Sequence, residues 1–506
     1  MKTDEQINNS RSMTCIDDIP DEILAEIFTF LSGKDLKSAT LTNRTFANIV
    51  SSSSKLMKKF FLVITTKRKW DFETISSLQR KHQSLFFFDF ITAENSLDKV
   101  LENGLENIGV NLKSIEFNDC CLYAQEFVKI LNYSKNLTHL KILFSKINES
   151  SHEDLILPFL SNLKIRMSDI NFELFHKIES LKKIQLEVNE TTNTDVSTFQ
   201  QILNKNSKLK TLTLVNLRLS NLFDIKMKQN FQLEILNIIQ CHFKHKENFE
   251  IFLDSQKLLK EVELSFSHMK LGNDRVRYFE SIVESIMKKK TLKNLTLNIE
   301  EYNFCSFNFL EVNRIENFTL RLKDTNFSSA QYLKYFPTLK SLELEVKELT
   351  NENMEILNNS LVNHLEIYNL TSECFSKLKI KSLKSLHLHE TSLNEKDWMT
   401  FIENNPQIIK LVINFSLIMD FDVKLLDKIT KKLNLEHIEL TDKYIGFENE
   451  IYIMIVENCS KLKYIKLWNI NIEKNFEEKD KEFLKKRNIK FHLFNDESLN
   501  KPMVPF

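Results

Sequence analysis

Residues 209–214 read LKTLTL, 233–238 LEILNI, 259–264 LKEVEL and 339–344 LKSLEL. In each, large apolar residues stand at positions one, four and six. The last two alternate with their neighbours, which is the period of a strand with one buried face. The preceding residues follow another period. EFVKILNYSKN before Leu137, VRYFESIVESIMKKK before Leu292 and EIYIMIVENCSK before Leu462 space their apolar residues as a helix does. The unit is therefore a helix, a turn and a short strand. Further copies start at Leu112, Leu137, Leu181, Leu292, Ile315, Val362, Leu383, Ile408, Leu435 and Leu462, with weaker ones at Leu160 (LSNLKI) and Leu85 (LFFFDF). From Leu112 onward, successive starts lie 21 to 33 residues apart. One such unit cannot bury its apolar side alone, so the units must stack.

This pattern resembles the leucine-rich-repeat family over residues 85–493. The resemblance implies an α/β solenoid of about 15–16 repeats, a horseshoe with parallel strands on its concave face and helices outside. Family repeats usually place Asn or Cys eight residues after the first leucine, where the side chain satisfies buried backbone in the turn. Here that place holds Cys120, Ser145, Ser168, Asn189, Cys241, Ser267, Thr391 and Ser416. Elsewhere it holds Leu217, Glu300, Lys323, Lys347, Leu370, Lys443 and Ile470, so the polar ladder is expected to break in about half of the units.

Ahead of the repeats, residues 16–50 read IDDIPDEILAEIFTFLSGKDLKSATLTNRTFANIV. Pro20 suits the first position of a helix, and Asp21 and Glu22 suit the positive end of its dipole. Ser32 with Asp35 makes a capping box for a second helix carrying Leu36 and Leu41, and a third holds Phe46, Ile49 and Val50. This stretch resembles an F-box in Ile19-Pro20-Asp21-Glu22-Ile23-Leu24, then Ile27-Phe28, Leu31, Asp35-Leu36, Leu41, Arg44 and Phe46. The family commonly reads Leu-Val-Cys-Arg-x-Trp where this chain has Leu41-Thr42-Asn43-Arg44-Thr45-Phe46. The resemblance implies docking on a Skp-type adaptor, and through it on a cullin. Its candidate contacts are Ile19, Pro20, Ile23, Leu24, Ile27, Phe28, Leu31, Leu36, Leu41 and Phe46. The rival reading is a helical cap over the first repeat's open edge. The expected boundaries are a disordered stretch over 1–15, the helical module over 16–60, a linker or cap over 61–84, the repeats over 85–493 and a tail over 494–506.

Composition narrows the function. Lysine plus arginine equals aspartate plus glutamate at 69 each among 506 residues, so no net field draws the chain to nucleic acid or acidic membranes. The seven cysteines follow no disulfide framework, the N-terminus has no apolar run, and no segment nears bilayer-spanning length. A soluble protein of the cytoplasm or nucleus is expected. Five scattered glycines supply no phosphate loop, and no catalytic constellation appears. No cofactor is expected, and neither His387 with His389 nor Cys241-His242-x-x-His245 offers four metal ligands.

Within each strand, frame positions three, five and seven face away from the buried leucines. They read basic early (His139, Lys141, Lys164, Arg166) and acidic in the middle (Glu261, Glu263, Glu343, Glu345, Glu366). Late copies carry Tyr368, His387, His389, His437, Tyr464, Lys466 and Trp468. Aromatics beside a cation make interface anchors, so these are the candidate client-binding residues. The plainer explanation is that strand surfaces favour aromatics anyway. The expectation is a non-catalytic substrate receptor of a Skp–cullin–F-box ubiquitin ligase with an unknown protein client. The alternative is a scaffold or sequestering protein of the same build that directs no degradation.

Overall fold

A computed structural model of the chain describes residues 16, 19–66, 82–92, 99–148, 154–188, 196–217, 231–241, 246–265, 274–300, 315–323, 339–345, 349–368, 370–389, 393–415, 423–442, 451–468 and 478–494. The expected disordered stretch 1–15 and nearly all of the expected tail lie outside them. The chain divides between Leu181 and Lys182 into two compact units.

The first unit opens with four short helices, α1 Asp21–Phe28, α2 Gly33–Thr42, α3 Arg44–Ser52 and α4 Ser54–Met57. Pro20 sits one place before the first helical residue, and its carbonyl accepts the amides of Ile23 and Leu24 at 3.0 Å. Ser32 caps α2 by accepting the Asp35 amide at 3.2 Å, while its hydroxyl donates to the Asp35 carboxylate at 2.7 Å. Asn43 caps α3 by accepting the Thr45 amide at 2.7 Å, so the polar residue at this place has a structural task. Lys59 closes the α1–α2 turn by donating to the carbonyls of Thr29 and Leu31.

Strands follow in parallel, β1 Phe61–Ile64, β2 Ser84–Phe88, β3 Ser114–Asn118, β5 His139–Leu143 and β7 Asn162–Arg166. Two more, β4 Cys121–Tyr123 and β6 Lys146–Asn148, pair beside them. The start of the expected linker, residues 61–64, is thus the first rung of the sheet. Leu85 pairs with Ile115, which places the first-leucine position of that rung at His82, three residues before the frame read from the sequence. His82 is buried, so a polar ring there hid the rung's true start.

The second unit stacks β8 Lys183–Glu187, β9 Thr211–Val215, β10 Ile235–Ile239, β11 Glu261–Ser265, β12 Asn294–Glu300, β13 Asn317–Lys323 and β14 Ser341–Glu345. It continues with β15 His364–Tyr368, β16 Ser385–His389, β17 Lys410–Phe415, β18 His437–Asp442, β19 Tyr464–Trp468 and β20 Lys490–Phe494. Each strand pairs in parallel with the next in chain order. Helices such as Val196–Lys205, Glu395–Asn404 and Val423–Lys432 precede their strands, as the repeat pattern predicts. The build is that of a leucine-rich-repeat solenoid behind a helical module. No helix among the described residues is long and apolar enough to cross a membrane.

Three devices hold rung to rung. One carbonyl at frame position two accepts two amides from the following rung, as when Lys384 O receives Ile409 N at 2.9 Å and Lys410 N at 3.0 Å. The same fork recurs at Lys210, Glu234, Lys260, Lys340, Asn363 and Glu436. The second device is the expected polar ladder. Cys120 N donates to Ser145 Oγ at 3.1 Å, and Ser145 N to Ser168 Oγ at 3.0 Å. Cys241 reaches the carbonyls of Leu214 and Ile239, whereas Leu217 and Leu370 are simply buried in the equivalent place. Asn189, Ser267, Thr391, Ser416, Lys347, Lys443 and Ile470 lie outside the described residues.

The third device escapes the sequence reading. Three residues before the first leucine sit Ser134, Asn206, Gln256 and Asn405, all buried. Asn405 donates to the carbonyls of Leu378 and Phe401 at 2.8 Å and accepts the Ile380 amide at 2.9 Å. Removing it leaves buried backbone groups without partners. We expect Asn405→Ala to lower unfolding free energy by about 2–4 kcal/mol in urea titrations, against under about 0.5 for exposed Asn359→Ala.

Candidate functional site

The candidate residues fall on two surfaces, one in each unit. In the helical module, Leu24, Phe28, Leu36 and Phe46 are buried together with Ile49, Val50, Leu56 and Met57. The rings of Phe28 and Phe46 meet edge to face at 5.1 Å. Ile19 and Leu31 pack partly against this cluster. In the free chain, four of the expected docking residues are thus core side chains. Four short helices have few large side chains with which to close, and Leu24, Phe28, Leu36 and Phe46 are used for that. As the protein stands alone, they offer no surface to another subunit.

What remains outside is still strongly apolar. Ile23 is 53% exposed, Ile27 45% and Leu41 80%, with Pro20 exposed beside them. Phe30 at 83% and Ile16 at 52% belong with them and were not selected from the sequence. Ile23 and Ile27 stand four apart on one face of α1, and Phe30 extends that spacing, so the signal was there to be read. The buried cluster and the side chains packed on it all lie between Ile19 and Phe60. The module therefore closes on itself.

The second surface is the face of the second unit's sheet between the buried leucines. Parallel register aligns His364 with Ser385, Glu366 with His387 and Tyr368 with His389. Glu366 Oε1 accepts the Tyr368 hydroxyl at 2.8 Å and lies 2.7 Å from His389 Nε2, close but off the line of an aligned hydrogen bond. Its other oxygen lies 3.7 Å from His387 Nδ1. His389 stacks on Tyr368 with centroids 4.2 Å apart, and Asn414 Nδ2 is 3.3 Å from its Nδ1. His364 meets His387 edge to face at 4.5 Å, while its Nδ1 lies 2.9 Å from Ser385 Oγ.

A second knot lies three and four strands on. His437 Nε2 is 2.6 Å from Glu439 Oε1, Lys466 donates to Glu439 Oε2 at 3.0 Å, and Tyr464 stacks on His437 at 4.2 Å. Trp468 ends β19, but its side chain lies outside the described residues. The candidate residues thus fall into two local knots, around Glu366 and Glu439. The early basic residues lie in the first unit, where Lys141 pairs with Glu116 at 3.0 Å and Arg166 covers the Phe144 ring.

Burial and the neighbouring His387 push the His364 imidazole down to about 4. Burial favours a protonated Glu366, but His387, His389 and Tyr368 outweigh it and hold the carboxyl well below its ordinary range. Burial likewise lowers His437, against the opposing pull of Glu439. The Cys241 thiol is pushed up to about 12 by burial, which makes it a poor metal ligand, and His242 and His245 lie outside the described residues.

Residues 16–63 match the family model described as F-box-like, and this domain is the helical module with the first strand. None of the curated proteins matches the sequence. Among solved structures, the leucine-rich repeat-containing protein LegL7 from Legionella pneumophila is 14% identical with a TM-score of 0.34, over 64% of this chain and 87% of that one. The TLR13–ssRNA13 complex gives 15% and 0.41, over 87% and 64% respectively. The Rad7 and Elc1 complex in yeast gives 13% and 0.32, over 93% and 92%.

Two outcomes follow from this geometry. Leu24→Ala should cost about 2–5 kcal/mol and unfold the helical module first, whereas Ile27→Ser should change stability by under about 1 kcal/mol. Hydrogen exchange of the α1–α4 amides reads both. For His364, the unfolded chain holds the proton more tightly than the folded one. Its contribution to stability is therefore complete above about pH 6.5 and is lost as pH falls towards 4. His364→Gln should flatten the slope of urea midpoint against pH across that window.

Proposed function

We propose that the F-box-like module at residues 16–63 docks this chain on a Skp-type adaptor, and that the repeats hold a protein client for a cullin-based ubiquitin ligase in the cytoplasm or nucleus. One observation carries this reading. The module completes its own core and still exposes Ile23, Ile27, Phe30 and Leu41, large apolar side chains that soluble surfaces seldom gather without a partner. The family resemblance supplies the identity of that partner.

In this reading the chain makes and breaks no bond. Its contribution is effective concentration, because a client held on the repeats presents its lysines repeatedly to a ubiquitin carrier held on the same assembly. The substitutions within Leu41-Thr42-Asn43-Arg44-Thr45-Phe46 are compatible with docking. Asn43 caps α3 and Phe46 fills the module's core, so both serve folding before any partner arrives.

The client is assigned to the late strands of the second unit, where Tyr368, His387, His389, His437, Tyr464 and Lys466 share one face of the sheet. Stacked rings held by half-buried carboxylates have little freedom to lose, and such anchors lose little entropy on binding.

The test is co-purification from cells. Ile23→Asp with Ile27→Asp should abolish recovery of adaptor and cullin while the repeats keep their melting temperature. Retention of the adaptor by this double variant would overturn the docking surface. Tyr464→Ala with Trp468→Ala should keep adaptor recovery and lose client proteins that wild type enriches. Clients whose half-lives ignore the aspartate substitutions would favour a sequestering scaffold over a degradation receptor.

A further inference from the structure

We infer that His364, Glu366 and His387 form a binding site for a divalent transition-metal ion of the zinc class. This inference stands independently of the receptor reading. One imidazole nitrogen from each histidine and one carboxylate oxygen all lie within 4.8 Å of one another. Sheet register produces the cluster. His364 and Glu366 are two apart on β15 and so share a face, and Glu366 is directly opposite His387 on β16.

The surroundings match what a metal site needs beyond its ligands. Metal-binding imidazoles are typically fixed through their other nitrogen by an oxygen partner. His364 Nδ1 already has one in Ser385 Oγ at 2.9 Å, which leaves Nε2 for the ion. The carboxylate is oriented in the same manner. Its Oε1 is occupied by Tyr368 and approached by His389, which turns Oε2 towards His387. His387 faces Glu366 Oε2 through Nδ1, and its other nitrogen, Nε2, is buried without a protein hydrogen-bond partner, which leaves that ring to be fixed by a water.

Ligand chemistry selects the ion. Two imidazoles and one carboxylate suit zinc, with bonds of about 2.0–2.2 Å and ligand atoms about 3.4 Å apart in a tetrahedron. The three atoms need to close by up to about 1.4 Å, within the reach of side-chain rotation. Three protein ligands leave a fourth position for water or an incoming group, as in zinc sites that are not purely structural. His389, although on the same face as His387, is not part of the cluster. His389 stacks on Tyr368 and is engaged by Asn414, whereas His364 lies against His387.

The experiment uses the full chain, stripped with chelator and titrated with Zn2+ by calorimetry, with Co2+ absorption as a second reading. One equivalent of Zn2+ should bind and raise the melting temperature, and Co2+ should give the bands of a four-coordinate nitrogen–oxygen site. His387→Ala and Glu366→Gln should each weaken Zn2+ at least about tenfold. His437→Gln, on the same face but outside the cluster, should leave affinity within about twofold. Failure of wild type to bind Zn2+, or undiminished binding by both ligand variants, would overturn the site. Should either variant unfold, the wild-type Co2+ spectrum decides alone, and a six-coordinate, weakly absorbing spectrum counts against it.

Discussion

In most of the described rungs a single carbonyl, at frame position two, receives two amides from the rung that follows. That fork fixes the alignment of neighbouring strands. In a strand, alignment decides which side chains face the core, because a slip of one residue exchanges the two faces. The arrangement of side chains on the late face of the second unit rests on this. His387 meets Glu366, and Tyr464 meets His437, only because Asn363, Lys384, Ile409 and Glu436 each present their carbonyl at the same place. Leucines at positions four and six then follow into the interior without further instruction.

The helical module obeys a different economy. Its helices are too short to be stable singly, so their large side chains must first meet one another. Leu24, Phe28, Leu36 and Phe46 do so, and residues beside them in the sequence are left facing outward. A motif written as consecutive residues therefore mixes two kinds of side chain, those that close the module and those left in solvent. The helical turn separates them, since Ile23 and Leu24 are adjacent in the chain but differ in exposure.

Much of the fold was legible because L-x-x-L-x-L carries its own geometry. Each frame from Leu112 to Leu462 starts two residues before a strand, the weak copy at Leu160 included. The rungs that the pattern missed or set out of frame lack the leading leucine. Lys59 stands at that place before β1, His82 before β2 and Asn488 before β20, as strand register shows. The buried ladder of Ser134, Asn206, Gln256 and Asn405 was hidden for another reason. Its members share a buried location but no single residue type, and Asn206, Gln256 and Asn405 hydrogen-bond buried backbone. The cluster around Glu366 was half visible. Alternation places His387 and His389 on one face, but only cross-strand alignment brings in His364.

Strand spacing also sets a ruler on the late face of the second unit. From His364 on β15 to Tyr464 on β19 is four steps between neighbouring strands, or about 19 Å. An extended polypeptide running across the strands would span that distance with about six residues. The two carboxylate-centred knots sit near the ends of that span, with the shorter side chains of Val412 and Asn414 at its middle. A face with hydrogen-bonding knots at both ends and shorter side chains between them is thus set to its length by strand spacing alone.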